Sequence, residues 1–192
     1  MAIVFALINA MFIAASNVLG GVAGRRLPLI VVVSIAGPTT IVLALIIAPL
    51  MPGSPSTLGF WVGFLAGLFG GAGLPLAYRA FAIGPAGIIG AMIAVVSTTW
   101  FVVVGVISGD PLSALRVAGL ILCVLAILLV TYRPPVDGKR ASLRGPILAA
   151  IAGTLFAGFV ILVNIAPDAD GMWPLVGARV GVTTVAMILL AW

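Results

Sequence analysis

A chain of 192 residues, 64% of them hydrophobic and only 7% charged, falls outside the ordinary soluble domains, in which about 25% of residues are charged. Its mean hydropathy of +1.40 is more than a water-soluble globule can hide. The net charge of +5 does not point to nucleic acid, because the basic residues are spread thinly between apolar runs rather than gathered on one face.

Lipid offers backbone groups no partner, so membrane-crossing segments are helices or closed barrels. Continuous apolar runs, rather than short alternating ones, select helices. No charge falls within 1–24, 27–78, 80–109, 117–132 or 145–167, and a crossing takes about 20 residues. Seven spans follow, at about 3–24, 28–50, 58–80, 85–107, 113–132, 145–166 and 174–192.

The first span lacks the basic start of a cleaved signal peptide and more spans follow it, so it is read as a helix. Asn9 and Ser16 lie seven apart on one of its faces with Asn17 beside them; they either line a cavity or bond neighbouring helices. Pro38 and Pro49 are expected to kink the second span. The run Pro52-Gly53-Ser54-Pro55-Ser56-Thr57 supplies the turn to the third.

The third span carries Gly59, Gly63, Gly67 and Gly71 on one face, the small-residue spacing by which membrane helices approach closely. The stripe is static packing or a surface for sliding, and Gly70, Gly73 and Pro75 add a candidate hinge. Tyr78 and Arg79 close the span as interfacial anchors. In the fourth span Ser97, Thr98, Thr99 and Trp100 offer hydroxyls and an aromatic wall to a solute, unless the hydroxyls bond back to their own helix. The lone Cys123, in the fifth span, has no partner for an intrachain disulfide. Arg179 lies about one turn inside the seventh span, where it either snorkels to the interface or meets an anionic or carboxylate solute.

No Asp or Glu falls within any span; Asp110, Asp137, Asp168 and Asp170 all lie in connections, where solvated caps or turns are expected. An intramembrane carboxylate for proton coupling is therefore missing from these spans. The connections after the first, third and fifth spans hold Arg25, Arg26, Arg79, Arg133, Lys139, Arg140 and Arg144, against Arg116 on the other side. By the positive-inside rule those three connections face the cytoplasm and the N-terminus faces out.

Two stretches repeat. Gly37, Thr39, Thr40 and Leu45 match Gly181, Thr183, Thr184 and Leu189 at a spacing of 144 (181 − 37). Ala6, Ile8, Ala14 and Leu19 match Ala149, Ile151, Ala157 and Leu162 at 143 (149 − 6). Two adjacent spans agreeing on the offset within one residue suggest a duplicated five-helix unit. An odd number of helices gives the second copy the opposite sense in the membrane. Only its first two helices fall within the chain, and about three more would complete it.

Ala77-Tyr78-Arg79-Ala80 ends the third span, Ser108-Gly109-Asp110-Pro111-Leu112-Ser113 follows a small-residue span, and Gly119 sits within an aliphatic one. Arg144-Gly145 leads into Ala149, Ala150 and Phe156, and Ala178-Arg179 marks the seventh span. In these features the chain resembles the EamA-like family of the drug/metabolite transporter superfamily, although Asp110 stands where the family usually has Glu, and Val96-Ser97 where it often has a proline. The resemblance implies a ten-helix carrier with its N-terminus inside, opposite to the charge count, which is followed here.

The expected fold is an all-α, polytopic transmembrane helical bundle of inverted five-helix repeats: 1–133 the first repeat, 134–144 a basic connecting loop, and 145–192 the opening pair of an incomplete second repeat. The expected function is a secondary transporter in the cytoplasmic membrane, moving a small metabolite or drug-like solute by alternating access. The candidate solute contacts are Asn9, Ser16, Asn17, Ser97, Thr98, Trp100 and Arg179. The complete lack of histidine and of any acid cluster argues against an enzyme, and against a metal site or cofactor. The expected partners are the lipid bilayer, the solute, and another membrane chain or a second copy, with no nucleic acid. The alternative is a non-transporting subunit that assembles with another membrane chain.

Overall fold

A computed structural model of the chain describes Val4, Leu7, Ile8, Met11, Phe12, Ala15 and residues 29–109, 114–131 and 143–190. The six isolated positions are helical. Six helices follow: α1 Leu29–Ile47, α2 Thr57–Ile83, α3 Ala86–Ile107, α4 Ala114–Thr131, α5 Arg144–Ile165 and α6 Trp173–Leu190. They match the second to seventh expected spans within about three residues at each end, because the need to satisfy every backbone group in lipid ties helix ends to the ends of apolar runs.

Local chemistry sets those ends. The Ser56 hydroxyl accepts the Gly59 N–H at 2.9 Å and caps α2. Gly84 and Ala166 adopt extended backbone before Pro85 and Pro167, which ends α2 and α5. Pro38 and Pro75 sit inside continuous helices. Pro49 does not kink α1 as expected; it lies in a 3-10 turn, Ala48–Leu50, that follows the last α-helical residue. Proline has no N–H to donate to the carbonyl four residues back, and its ring crowds that carbonyl, so at this helix end the α-helical ladder is not continued.

The helices contact one another in the order α1, α6, α2, α5, α3, α4, with α2 at the centre between α6 and α5. An added Cβ at Gly59 would meet Asp170, at Gly63 Pro174, at Gly67 Ala178 and at Gly71 Val182. Each pair is 111 residues apart (170 − 59), so α2 and α6 run parallel in constant register. On the other side Gly70 meets Phe159 and Gly73 meets Phe156, so α2 and α5 run antiparallel. Gly37 abuts Thr183, while Ile47 lies near Leu175, so α1 and α6 are antiparallel too.

The interior is made of small residues. Ala66, Ala77, Ala80, Ala149, Ala152, Ala157 and Ala178 are buried, and Ile89 is the one large side chain fully buried among the described residues. Large apolar side chains such as Leu58, Trp61, Ile107, Leu122 and Leu129 point outward. In water that surface would drive aggregation; in lipid it is the ordinary outer face, with glycine and alanine letting backbones close up inside. Three helices, Thr57–Ile83, Gly87–Ile107 and Arg144–Ile165, are long and apolar enough to cross a membrane, with shorter apolar helices at Gly37–Leu50 and Trp173–Leu189. The protein is an all-α, multi-span membrane bundle.

Candidate functional site

Asn9, Ser16 and Asn17 lie outside the described residues, as do Asp110 and Asp137. The hydroxyls of α3 turn back on their own helix: Ser97 donates to the Ile93 carbonyl, Thr98 to Ala94 and Thr99 to Val95, the latter two at 2.8 Å. Their protons are therefore spent locally. The Trp100 indole N–H donates at 3.2 Å to Thr154 Oγ1, which in turn donates to the Ala150 carbonyl at 3.1 Å. A short polar chain thus ties α3 to α5, and the Trp100 ring remains 43% exposed.

The glycine stripe Gly59, Gly63, Gly67 and Gly71 is buried, with Pro75 half-buried beyond it. Its middle faces backbone, since Cβ atoms at Gly63 and Gly67 would overlap the Pro174 and Ala178 carbonyls, while Gly59 meets the Asp170 side chain and Gly71 that of Val185. The fit is reciprocal, since Gly177 and Gly181 of α6 abut the Phe60 and Phe64 carbonyls.

At the head of this pair lies an acid that is in a connection, as expected, but is not solvated. Asp170 was expected to be solvated; it is 2% exposed. It lies in the 3-10 turn Asp168–Asp170 that precedes α6, and its carboxylate accepts a hydrogen bond from the Ser56 hydroxyl. The parallel register brings the start of α2 against the start of α6, and the absence of a side chain at Gly59 leaves room for the carboxylate. The Ser54 N–H donates to the Ala169 carbonyl at 3.0 Å alongside. Gly53 (φ +145°) and Gly171 (φ +54°) adopt the left-handed region where the two connections cross, too close for a Cβ on either. Asp168 is exposed, as expected of a connection. The run 52–57 reads only as a turn; a serine just before an apolar run is the local signal for the Ser56 cap, whereas nothing local signals its acid partner, 114 residues away.

Arg179 is exposed and lines an open groove of about 200 Å³ between α1 and α6, with Thr40, Leu43, Ala44, Ile47 and Leu175. It sits six residues into α6 (179 − 173), about 9 Å along the axis. Thr40 is seven residues from the end of α1 (47 − 40), about 10 Å from the same end of the bundle. The Thr40 hydroxyl donates to the Gly37 carbonyl at 2.9 Å, so its proton is used within α1. Two acids are found among the described residues: Asp170 is bound to Ser56 and Asp168 lies outside α6, so neither neutralises Arg179. The groove can hold an anion against a guanidinium with apolar walls around it. Among the described residues no three His, Cys, Asp or Glu side chains gather as metal ligands. No family model, no curated protein and no solved structure matches the chain.

Proposed function

We propose that the chain is a secondary carrier of the EamA-like kind, moving a small solute across the cytoplasmic membrane by alternating access without changing it chemically. The observation that carries this reading is Arg179, a charge about 9 Å inside an apolar helix that lines a groove with no acid among its described lining residues. Ionisable residues at membrane depth are costly, and they mark solute or ion pathways. The antiparallel course of α1 and α6 adds support: the stretches that match in sequence, around Gly37 and Gly181, run in opposite senses, as an inverted repeat requires. Purified protein in liposomes is expected to move some solute of a broad metabolite panel down its gradient. Flat traces across the panel, with the protein folded and inserted, would count against carriage.

One observation favours a second reading, a subunit that assembles with another membrane chain or a second copy. Leu115, Leu122 and Leu129 stand seven apart on α4, all strongly exposed, at 83%, 66% and 77%, and this is the spacing of a helix-packing seam. Cross-linking through a cysteine at Leu122 in membranes separates the two: a discrete larger species supports assembly, and its absence leaves the stripe to lipid.

A further inference from the structure

We infer that the α1–α6 groove binds an anionic, single-chain amphiphile drawn from the bilayer, its acid group on Arg179 and its chain along Leu43, Ile47 and Leu175. This rests on the carrier reading only in making that amphiphile the solute carried; the binding stands on the groove itself.

Four properties of the groove select the class. The one cation among its described lining residues is a guanidinium, whose planar fork of donors suits a carboxylate or phosphate. Among the described residues no acid lines the groove to meet an ammonium, which disfavours cations and zwitterions. Beyond Arg179 and Thr40 the lining is apolar, Leu43, Ala44, Ile47, Met172 and Leu175, so a polyhydroxylated solute would leave its hydroxyls unpaired. At about 200 Å³ the groove is smaller than the 300–1,000 Å³ roughly typical of sites that enclose a ligand. It therefore holds a head group and the first methylenes. Leu43 is 50% exposed and Ile47 40% exposed, and a chain leaving along them continues into surroundings as apolar as itself. The depth agrees: Arg179 sits about 9 Å in from the start of α6, where a lipid-borne acid can reach it without leaving the bilayer.

The test is equilibrium dialysis of radiolabelled dodecanoate against purified full-length protein in a nonionic detergent, with flux of the same compound measured separately in liposomes. Dodecanoate is expected to bind saturably, to be displaced by dodecyl phosphate, and to be indifferent to dodecyltrimethylammonium and to butyrate. Arg179→Gln is expected to weaken binding about tenfold or more, as loss of a charge-assisted pair predicts, and Arg179→Lys less. Ile47→Trp, which fills the groove and keeps the guanidinium, is expected to weaken it too, and it decides the matter should the Arg179 variants fail to fold. Unchanged binding in a folded Arg179→Gln, or in Ile47→Trp, overturns the inference. Butyrate displacing as well as dodecyl phosphate overturns the amphiphile and points to a water-borne carboxylate. Binding without flux supports the ligand class and overturns carriage.

Discussion

The carboxylate of Asp170 is shielded by the start of α2, bonded to the Ser56 hydroxyl, and housed in the space that a side chain at Gly59 would fill. The Ser56 oxygen accepts the Gly59 N–H while its own proton goes to Asp170, so one hydroxyl serves a helix cap and an acid together. Removing the acid leaves that arrangement half-made, and a buried polar group stripped of its partner costs about 1–3 kcal/mol. Asp170→Ala is therefore expected to lower the melting temperature in detergent by a few degrees, while Asp170→Asn, which still offers an oxygen to Ser56, keeps most of it. Equal melting of Asp170→Ala and the parent would show that the bond contributes nothing. The sequence announces a turn over 52–57, because Pro, Gly and Ser mark turns locally. It does not announce the burial of Asp170, which needs two connections 114 residues apart to meet. The same divide runs through α3: the back-bonding of Thr98 and Thr99 is local and was foreseeable, whereas the tie from Trp100 to Thr154 spans 54 residues.

Among the helices, α2 shows how far spacing alone can be read. Four glycines at intervals of four announce a close helix neighbour, yet nothing in them names α6 or says that the neighbour runs parallel. Overpacking of this kind typically costs 1–3 kcal/mol, roughly as in soluble cores. Gly67→Ala, whose Cβ would overlap the Ala178 carbonyl, is expected to lower thermal stability in detergent. Gly119→Ala on α4, with nothing within 4 Å of the added carbon, is expected to leave it unchanged or raise it slightly. Similar melting curves for the two variants would contradict the packing described. Helix ends were legible for a different reason: Pro85 and Pro167 force the preceding residue into extended backbone whatever surrounds them. Pro49 misled because its ring ends an α-helix as readily as it bends one, and only the following turn distinguishes the two.

At the scale of the molecule, both connections that meet at Asp170 lie at one end of the bundle, and the Gly84-Pro85 connection lies beside Gly145 at the other. The basic residues Arg79 and Arg144 flank that second end, so the positive-inside rule predicts that it faces the cytoplasm. In a background of Cys123→Ser, cysteines at Ser54 and Ala169 are expected to be joined by a short thiol cross-linker and labelled by a membrane-impermeant maleimide on intact cells. A cysteine at Ile83 is expected to react only after the membrane is opened. The reverse pattern would turn the protein over without altering its fold. The places of six helices and their relative sense were readable because hydropathy and parity need no tertiary knowledge; the order in which helices touch was not, since glycine and alanine look alike on every face.

The shared register of α2 and α6 has a mechanical consequence. With carbonyls seated in the notches left by Gly63, Gly67, Gly177 and Gly181, sliding by one notch would take a jump of four residues, about 6 Å, with every tooth disengaged at once. The two rods behave as a single post. On the proposed carrier reading, the rocking that would present Arg179 to each compartment in turn falls to α1 on one flank and to α5, α3 and α4 on the other, about the interlocked pair as an axle.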